Sequence, residues 1–234
     1  MNLMMLLEMA SSGFPERVAF QNGSDTLTYA ELLSAAGVAA AEIRASGCER
    51  VALLDVNTLA LPVGVFASAW AGIPFSPLNY RLTGGELEAL AERIAPSYFV
   101  TDADRVKELA GLPGANLVER DAFLAKARAG EAAASDWSME GEDIAILLFT
   151  SGTTGAPKAA VIRHRHLVSY ILGSVEFGAV LRAGRIGAHG FVHDGGDFAD
   201  GFDHGRTIDQ RMPWPPARKF RARARGGAGG VRRS

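Results

Sequence analysis

The sequence predicts an α/β fold, in which a largely parallel sheet is flanked by helices. Between Leu27 and about Ile171, segments with a helical spacing of apolar residues alternate with short apolar runs of strand length. Two of the helical segments also open on a capping box, the Ser/Thr-x-x-Glu pattern that begins helices. Each strand-helix-strand unit is expected to form a right-handed crossover between parallel strands.

The first capping box, Thr-Tyr-Ala-Glu at residues 28–31, opens a helix whose apolar face runs to Ile43. Gly47 is expected to end it, because glycine accepts the left-handed conformation common after a helix. Residues 51–56 then read as a buried strand. Residues 59–71, rich in small and apolar side chains, are expected to form a helix packed closely against the sheet.

The alternation continues with an extended segment, residues 73–78, that contains two prolines. The second capping box, Thr-Gly-Gly-Glu at residues 83–86, starts a helix that runs to Ile94, and residues 98–101 are expected to form another strand. Residues 126–137, rich in Ala, Gly and Glu, read as a loose helix and a surface loop. They lead into a further apolar strand.

Composition excludes a disulfide framework and indicates a globular chain. Hydrophobic residues make up 48% of the sequence and charged residues 21%, as is typical of globular domains. Cys48 is the only cysteine, which rules out an intramolecular disulfide and fits a reducing cytoplasm. Residues 1–7 are apolar but lack a basic flank and a cleavage site, so no signal peptide is expected. The apolar stretch 59–75 is interrupted by prolines and glycines and is not expected to span a membrane.

The net charge of −2 conceals an asymmetry. Residues 178–234 hold eleven Lys and Arg against five Asp and Glu, a net of +6, whereas residues 1–177 sum to −8. Apolar periodicity also stops there, and the Met-Pro-Trp-Pro-Pro run at residues 212–216 cannot continue a helix or a central strand. We therefore expect a partial α/β domain over 1–177 and a disordered, low-complexity Gly/Arg-rich tail over 178–234. One hypothesis for the abrupt change is that the tail is translated out of frame.

The most informative segment is a polar loop between two apolar runs. It reads Thr-Ser-Gly-Thr-Thr-Gly-Ala-Pro-Lys over residues 150–158, and the second apolar run, 159–162, follows. Glycines let backbone N–H groups converge on an anion, hydroxyls add short donors, and lysine supplies a positive charge. This pattern suits a polyphosphate. It is not a G-x-x-x-x-G-K-[ST] loop, because Gly152 and Gly155 are too close and no Ser or Thr follows Lys158.

The loop resembles the signature phosphate loop of the adenylate-forming enzymes, the superfamily of acyl-CoA synthetases, luciferases and peptide-synthetase adenylation domains. The likeness runs without a gap from Leu148 to Lys158 and continues through residues 163–167, which are similar to the family's downstream His-x-x-Leu segment. Residues 79–83 also resemble a family segment that links two strand-helix units, with a capped loop as the alternative. The resemblance covers roughly residues 10–177 and implies the truncated N-terminal part of an adenylate-forming domain.

The family's chemistry has two steps, which the resemblance extends to this chain as an expectation. A carboxylate attacks the α-phosphate of Mg-ATP, which releases pyrophosphate, and a thiol, often coenzyme A, then takes the acyl group. The residues implied to hold the ATP phosphates are Thr150, Ser151, Gly152, Thr153, Thr154, Gly155 and Lys158. Lys158 would be the catalytic residue, because its charge would stabilise the departing pyrophosphate. ATP, Mg²⁺ and coenzyme A are the implied cofactors, and a fatty or aryl carboxylic acid is the implied substrate.

Other parts of the family's machinery have no counterpart in the sequence. It contains no Tyr-Gly-x-Thr-Glu segment for adenine and the metal ion, no Thr-Gly-Asp for the ribose, and no late Gly-Lys segment for the lysine that acts on the adenylate. Because phosphoryl-type transfer depends on positioning and charge neutralisation, we expect a family member that is nearly inert by itself. No metal ligand is predicted. His164, at the start of the helix behind the loop, is expected to be structural, as an exposed or capping residue.

Three alternatives stay open. The tail could bind a metal through its His and Asp side chains, namely His189, His193, Asp194, Asp197 and His204. The arginines of residues 218–233 could contact RNA or DNA weakly, although no specific nucleic-acid partner is expected. The chain could also be a non-catalytic remnant that binds phosphates or a partner protein. The oligomeric state is not predicted.

Overall fold

Helices and strands alternate along the chain in a computed structural model, which describes residues 1–82, 84–132, 136–150 and 158–174. The helices are α1 (Met4–Gly13), α2 (Tyr29–Ala45), α3 (Ala60–Ala71), α4 (Gly84–Ile94), α5 (Ala103–Glu108), α6 (Arg120–Ala129) and α7 (His164–Ser174). The strands are β1 (Val18–Asn22), β2 (Asp25–Thr28), β3 (Arg50–Leu54), β4 (Phe75–Leu78), β5 (Ser97–Thr101), β6 (Ala115–Glu119), β7 (Ile144–Thr150) and β8 (Lys158–Arg163).

Six of these strands form one sheet in the order β6-β5-β3-β4-β7-β8. Neighbouring strands of this sheet run parallel, apart from β7 and β8, which are antiparallel. β1 and β2 form a separate antiparallel hairpin, and Gly23 at its turn has a left-handed φ of 61°. The prediction of a largely parallel sheet is confirmed.

Helices cover the sheet on both faces, because its central strands are apolar on both sides. In β3, Val51 and Leu53 belong to a first core, formed with α1, α2, α3 and α6. Ala52 and Leu54, which alternate with them, belong to a second core, formed mainly with α4. The fold is therefore α/β, with the sheet between two layers of helices.

The helix boundaries follow local signals where the sequence carries them. The Thr28 hydroxyl accepts from the N–H of Glu31, and the Glu31 carboxylate accepts from the N–H of Thr28, so the first capping box forms as predicted. The helix ends at Ala45, and Gly47 adopts the left-handed φ of 69° expected after a helix. The second predicted helix is α4, which begins at Gly84; the capping residue predicted for it, Thr83, lies outside the described residues.

Several elements differ from the prediction. The segment 126–137 was expected to hold a loose helix, but α6 begins earlier, at Arg120, because the Glu119 carboxylate caps the N–H groups of Asp121 and Ala122. Three strands and two helices were not predicted at all, namely β1, β2, β6, α1 and α5. β6 illustrates the reason: its residues are half-buried or exposed and show no apolar run, so its extended form depends on pairing with β5.

The β7–β8 hairpin is less buried than the central strands. Every residue of β8 from Ala159 to Arg163 is partly exposed, whereas all five residues of β5 are buried. The pairing also shifts near the amino end of β7, where Ile144 lies opposite Arg163 but Ile146 lies opposite Ile162. This extra residue in β7 makes a β-bulge.

Candidate functional site

β7 and β8 bring the two ends of the predicted phosphate loop together. Thr150, the last residue of β7, pairs with Lys158, the first residue of β8, which puts their Cα atoms about 5 Å apart. The predicted order of strand, loop and strand is confirmed at both ends. Of the predicted site residues, Thr150 and Lys158 are described in their backbones only. The others lie outside the described residues: Ser151, Gly152, Thr153, Thr154 and Gly155.

The loop leaves the sheet at the edge formed by the carboxyl ends of the parallel strands. β7 is parallel to β4 and β4 is parallel to β3, so Thr150, Leu78 and Leu54 end their strands on the same side. β3 lies between β4 and β5, so the chain reverses its direction across the sheet after β4. Ligands of open α/β sheets bind outside the carboxyl ends at such a reversal. The predicted phosphate loop follows β7, which lies next to β4 in the sheet.

The turn after β4 lies at the same edge of the sheet as Thr150, because β4 is the parallel neighbour of β7. The Asn79 side chain accepts from the N–H of Arg81 (3.0 Å), and the Asn79 carbonyl accepts from the N–H of Leu82 (2.9 Å). Arg105 of α5 donates to the Tyr80 carbonyl (3.3 Å), and the Arg81 guanidinium lies 5.3 Å from the centroid of the Tyr80 ring. These contacts are those of a capped turn, the alternative considered for this segment.

Phe149 holds the end of β7 against α4. Its ring packs against the second core, and the Arg93 guanidinium lies 5.9 Å from the ring centroid. A cation over an aromatic face is attracted by the negative potential of the ring. The loop therefore starts from a strand end that is held in place by side-chain packing. The sequence around Phe149 does not predict this contact, because Arg93 belongs to α4 and is far from Phe149 along the chain.

An ion pair that was not predicted joins two other strand ends at the same edge. Asp55, just after β3, has a side chain only 4% exposed, and its Oδ2 lies 3.0 Å from Nη1 of Arg120, just after β6. Asp121 lies 2.8 Å from the Nε of Arg120. Hydrogen bonds to Asp121 and then to Asp55 raise the pKa of Arg120, and the same guanidinium lowers the pKa of Asp121. Arg120 thus neutralises the buried carboxylate of Asp55, which follows β3, a strand at the chain reversal.

His164 is buried, which corrects the expectation that it is exposed or capping. The residue is 2% exposed, and its Nδ1 accepts from the N–H of Leu3 at 3.4 Å. Burial is the main reason why the pKa of His164 is lowered, so the imidazole is neutral at neutral pH. The expectation failed because the covering residues come from the other end of the described chain, 161 positions away.

Other predicted features concern metal ions, nucleic acids and membranes. Among the described residues, no group of three or more His, Cys, Asp or Glu side chains could hold a metal ion. The alternative metal site at 189–204 and the arginine-rich segment 218–233 lie outside the described ranges, so both stay predictions. Within the part of the chain that the structure describes, no helix is long and apolar enough to cross a membrane.

Comparison with known proteins finds relatives that are named for carboxylic acids. Feruloyl-CoA synthase from Amycolatopsis sp is 33% identical over 156 residues, which cover 65% of this chain and 31% of that protein. Indoleacetate–CoA ligase from Aromatoleum aromaticum is 29% identical over 179 residues, which cover 69% of this chain and 35% of that protein. The chain thus spans about a third of the length of these two curated relatives.

A solved structure and a family model point to the same kind of protein as these relatives. Apo MatB from Rhodopseudomonas palustris has the same fold, with a TM-score of 0.61 and 28% identity over 74% of this chain and 37% of that one. A family model described as AMP-binding enzyme matches residues 7–196, a range that includes the whole β7–β8 hairpin. Since this match covers more than half of the sequence, the chain belongs to the family of AMP-binding enzymes, the adenylate-forming superfamily.

Proposed function

We propose that this chain carries the phosphate-binding part of an AMP-forming acyl-CoA ligase, which activates a carboxylic acid with ATP and transfers the acyl group to coenzyme A. The observation that carries the proposal is the pairing of Thr150 with Lys158 at the carboxyl edge of the sheet. This pairing closes the base of a loop whose residue types suit phosphate, next to the reversal where α/β folds bind ligands.

The donor groups of the loop match the β- and γ-phosphates of ATP. The hydroxyl and backbone N–H groups that would donate to these phosphates belong to Thr150, Ser151, Gly152, Thr153, Thr154 and Gly155. Lys158 would place its positive charge at the far end of the loop, where the pyrophosphate departs. A positive charge aimed at a leaving group stabilises the negative charge that develops there.

The proposed reaction assigns the loop to the first of two steps. A carboxylate oxygen of the acid bonds to the α-phosphorus while the bond from that phosphorus to the bridging oxygen breaks, which gives acyl-adenylate and pyrophosphate. The sulfur of coenzyme A then bonds to the acyl carbon, AMP leaves, and the thiol proton passes to solvent. Lys158 and the loop residues act on the pyrophosphate only. The second step needs groups outside this loop.

Magnesium would arrive with ATP and not at a site built from the described residues. Mg²⁺ in nucleotide sites is usually held by one or two carboxylates together with phosphate oxygens. The described residues contain no cluster of such ligands, and the buried carboxylate at this edge, Asp55, is already paired with Arg120. The described residues therefore do not fit a protein-bound magnesium ion.

The proposed acid is an aryl acid, and fatty acids are the alternative. Two of the relatives are named for acids that contain an aromatic ring, ferulate and indoleacetate. The proposed location is the cytoplasm, where ATP and coenzyme A are available and where Cys48, the one cysteine of the sequence, would stay reduced.

We also propose that these 234 residues do not catalyse adenylation by themselves. The sequence contains the phosphate loop but no match to the family's adenine, ribose and late-lysine segments. Without them, nothing would align the acid with the α-phosphate, and alignment supplies much of the rate of such reactions. The same absence favours a second candidate function, a non-catalytic protein that binds phosphates or a partner protein.

Exchange of labelled pyrophosphate into ATP tests both candidates. The chain is incubated with Mg-ATP and a panel of aryl and fatty acids, and its binding of Mg-pyrophosphate is measured in parallel by calorimetry. A full-length feruloyl-CoA synthase with ferulate is the positive control. We expect pyrophosphate binding without exchange. Exchange with any acid would contradict the proposed inactivity, and a lack of pyrophosphate binding would contradict the phosphate-binding role.

The boundary at residue 177 and the origin of the tail are separate proposals. The family match runs to residue 196, past this boundary, so the composition change and the match end at different places. Translation of the other two reading frames downstream of the Gly178 codon tests the frameshift hypothesis. We expect one of them to encode a segment similar to Tyr-Gly-x-Thr-Glu. If neither does, the tail belongs to the gene's proper frame.

A further inference from the structure

The first four residues form a strap, residues 1–4, that joins the phosphate-loop hairpin to the helical layer. Asn2 is 2% exposed, and its Nδ2 donates to the carbonyls of Ser138, before β7, at 2.8 Å and of Ala69, in α3, at 3.3 Å. Its Oδ1 accepts from the N–H of Met4 at 3.0 Å. Both polar ends of this buried amide are thus satisfied, so Asn2 connects two segments that are far apart in the sequence.

The strap also reaches the far end of β8. The N–H of Leu3 donates to Nδ1 of His164, which follows the last residue of that strand. The backbone N–H of His164 donates to the Asp143 carbonyl at 3.2 Å, and that of Arg165 donates to the Gly141 carbonyl at 3.0 Å. The strap, the start of β7 and the end of β8 therefore meet at the end of the hairpin opposite the loop.

Close packing at this junction requires a glycine. A Cβ on Gly141 would lie 2.8 Å from the Met1 nitrogen and 3.2 Å from the Met1 carbonyl oxygen, closer than such atoms normally approach. Both Leu3 and Met4 are buried in the first core. The junction is thus fastened by apolar packing as well as by hydrogen bonds.

The β8 strand by itself specifies its pairing register weakly near the loop. Ala159 and Ala160, the residues of β8 nearest the loop that are described with their side chains, are small and half-buried. A slip of one residue would move each side chain to the opposite face, and small residues distinguish the two faces poorly. Phe149 holds the β7 side of the hairpin near the loop, but the small residues of β8 supply no such contact there. The position of β8 therefore depends more on its other end, where the strap contacts His164.

We propose that Asn2 and His164 are positioning residues that set the register of the β7–β8 hairpin and thereby keep Lys158 opposite Thr150. The inference rests on the proposed phosphate binding and adds to it the groups that orient the loop. His164 lies beside the amino end of β7, and Asn2 contacts Ser138, which precedes that strand. Both are at least six residues from the loop along the chain, so neither residue touches the ligand. The link between the junction and the loop is the ladder of backbone hydrogen bonds between the two strands.

The neutral state of His164 agrees with this role. Burial lowers the pKa of His164, the charge of Asp143 opposes this effect, and the Met1 amino group adds to it. A neutral imidazole can accept at Nδ1, whereas a protonated one would present an N–H to the N–H of Leu3. The acceptor is therefore present under neutral conditions.

Hydrogen exchange and pyrophosphate titration on the whole chain test the inference. In Asn2→Ala and His164→Ala, we expect the amides of β7 and β8 to exchange about tenfold faster or more, and Mg-pyrophosphate to bind about tenfold more weakly. His164→Asn keeps an acceptor near the N–H of Leu3 and should retain most of the protection and binding. Leu109→Ala, in the second core, is the control for lost overall stability: it should speed exchange in β3 and β5 at least as much as in β7 and β8, whereas the strap variants should act mainly on β7 and β8.

The possible outcomes separate this inference from the function on which it rests. If the hydrogen-exchange rates of β7 and β8 are unchanged in Asn2→Ala and His164→Ala, the inference is overturned. A His164→Asn chain that behaves like His164→Ala would show that His164 acts through its volume and not as an acceptor, which also contradicts the inference. If the unaltered chain does not bind pyrophosphate, the proposed function fails, and the exchange data alone decide whether the strap sets the register.

Discussion

Thr150 pairs with Lys158 across the β7–β8 hairpin, so the first and last residues of the phosphate loop are neighbours in the sheet. β7 ends and β8 begins at the edge formed by the carboxyl ends of the parallel strands. A loop whose two ends are already held together loses less conformational entropy when it binds a ligand. Lys158 lies at one end of this loop, so its positive charge should contribute to the affinity of the loop for phosphate.

Replacement of Lys158 by alanine is expected to weaken Mg-pyrophosphate binding by about 10- to 100-fold, because a charge-assisted hydrogen bond contributes roughly 1.5–3 kcal/mol. Lys158→Arg keeps the charge and should lose less. The control is Lys126→Ala, which removes an exposed lysine paired with Glu42 on the helical layer. Calorimetry at fixed ionic strength measures all three. Equal affinities for Lys158→Ala and the unaltered chain would exclude Lys158 from the phosphate site.

Stability should fall in mild acid because of His164. Burial lowers its pKa in the folded chain, so the unfolded chain binds the proton more readily. The contribution of His164 to stability is therefore complete above about pH 6.5, the unfolded value, and is lost as the pH falls below it. His164→Asn should flatten the decline in stability below about pH 6.5, measured by urea unfolding. Parallel profiles for His164→Asn and the unaltered chain would contradict the assignment.

Loss of the cation beside Asp55 is expected to destabilise the fold. Arg120→Met leaves a buried carboxylate without its partner and should cost about 2–4 kcal/mol, somewhat below the usual range because Arg120 is partly exposed. The double variant with Asp55→Asn should recover part of this loss. Arg128→Met, which breaks a more exposed pair with Asp25, is the control and should cost under about 1 kcal/mol. Denaturant unfolding compares them, and equal costs for the two arginines would be evidence against a buried ion pair.

Helix α2 packs closely against its neighbours at Gly37. A Cβ there would lie 2.5 Å from the Cβ of Ala132 and 2.8 Å from the ring of Trp70. Gly37→Ala should therefore destabilise the chain by about 1–3 kcal/mol, even though alanine favours a helix by about 1 kcal/mol. Gly85→Ala in α4, whose new Cβ meets no atom within 4 Å, should be neutral or slightly stabilising. Thermal unfolding distinguishes the two, and a stabilised Gly37→Ala would show that the helices can separate freely.

Local signals predicted some elements correctly and missed others. The capping box at Thr28 forms as predicted because its two hydrogen bonds join residues only three apart. β6 was missed because it is a half-exposed strand whose form depends on its pairing with β5, residue by residue from Ala115 to Glu119. The ion pair between Asp55 and Arg120 was missed for the same reason, since their proximity follows from the order of the strands.

The sequence by itself determined the family and the chemistry that its loop offers, because residue types in a fixed order carry both the strand-loop-strand pattern and the donors for phosphate. The tertiary structure alone decided the order β6-β5-β3-β4-β7-β8, the pairing of Thr150 with Lys158 at the carboxyl edge and the burial of His164 under Leu3. These features depend on contacts between residues that are distant in the chain. Their free energies come from packing and pairing after folding, so no local window of sequence contains them.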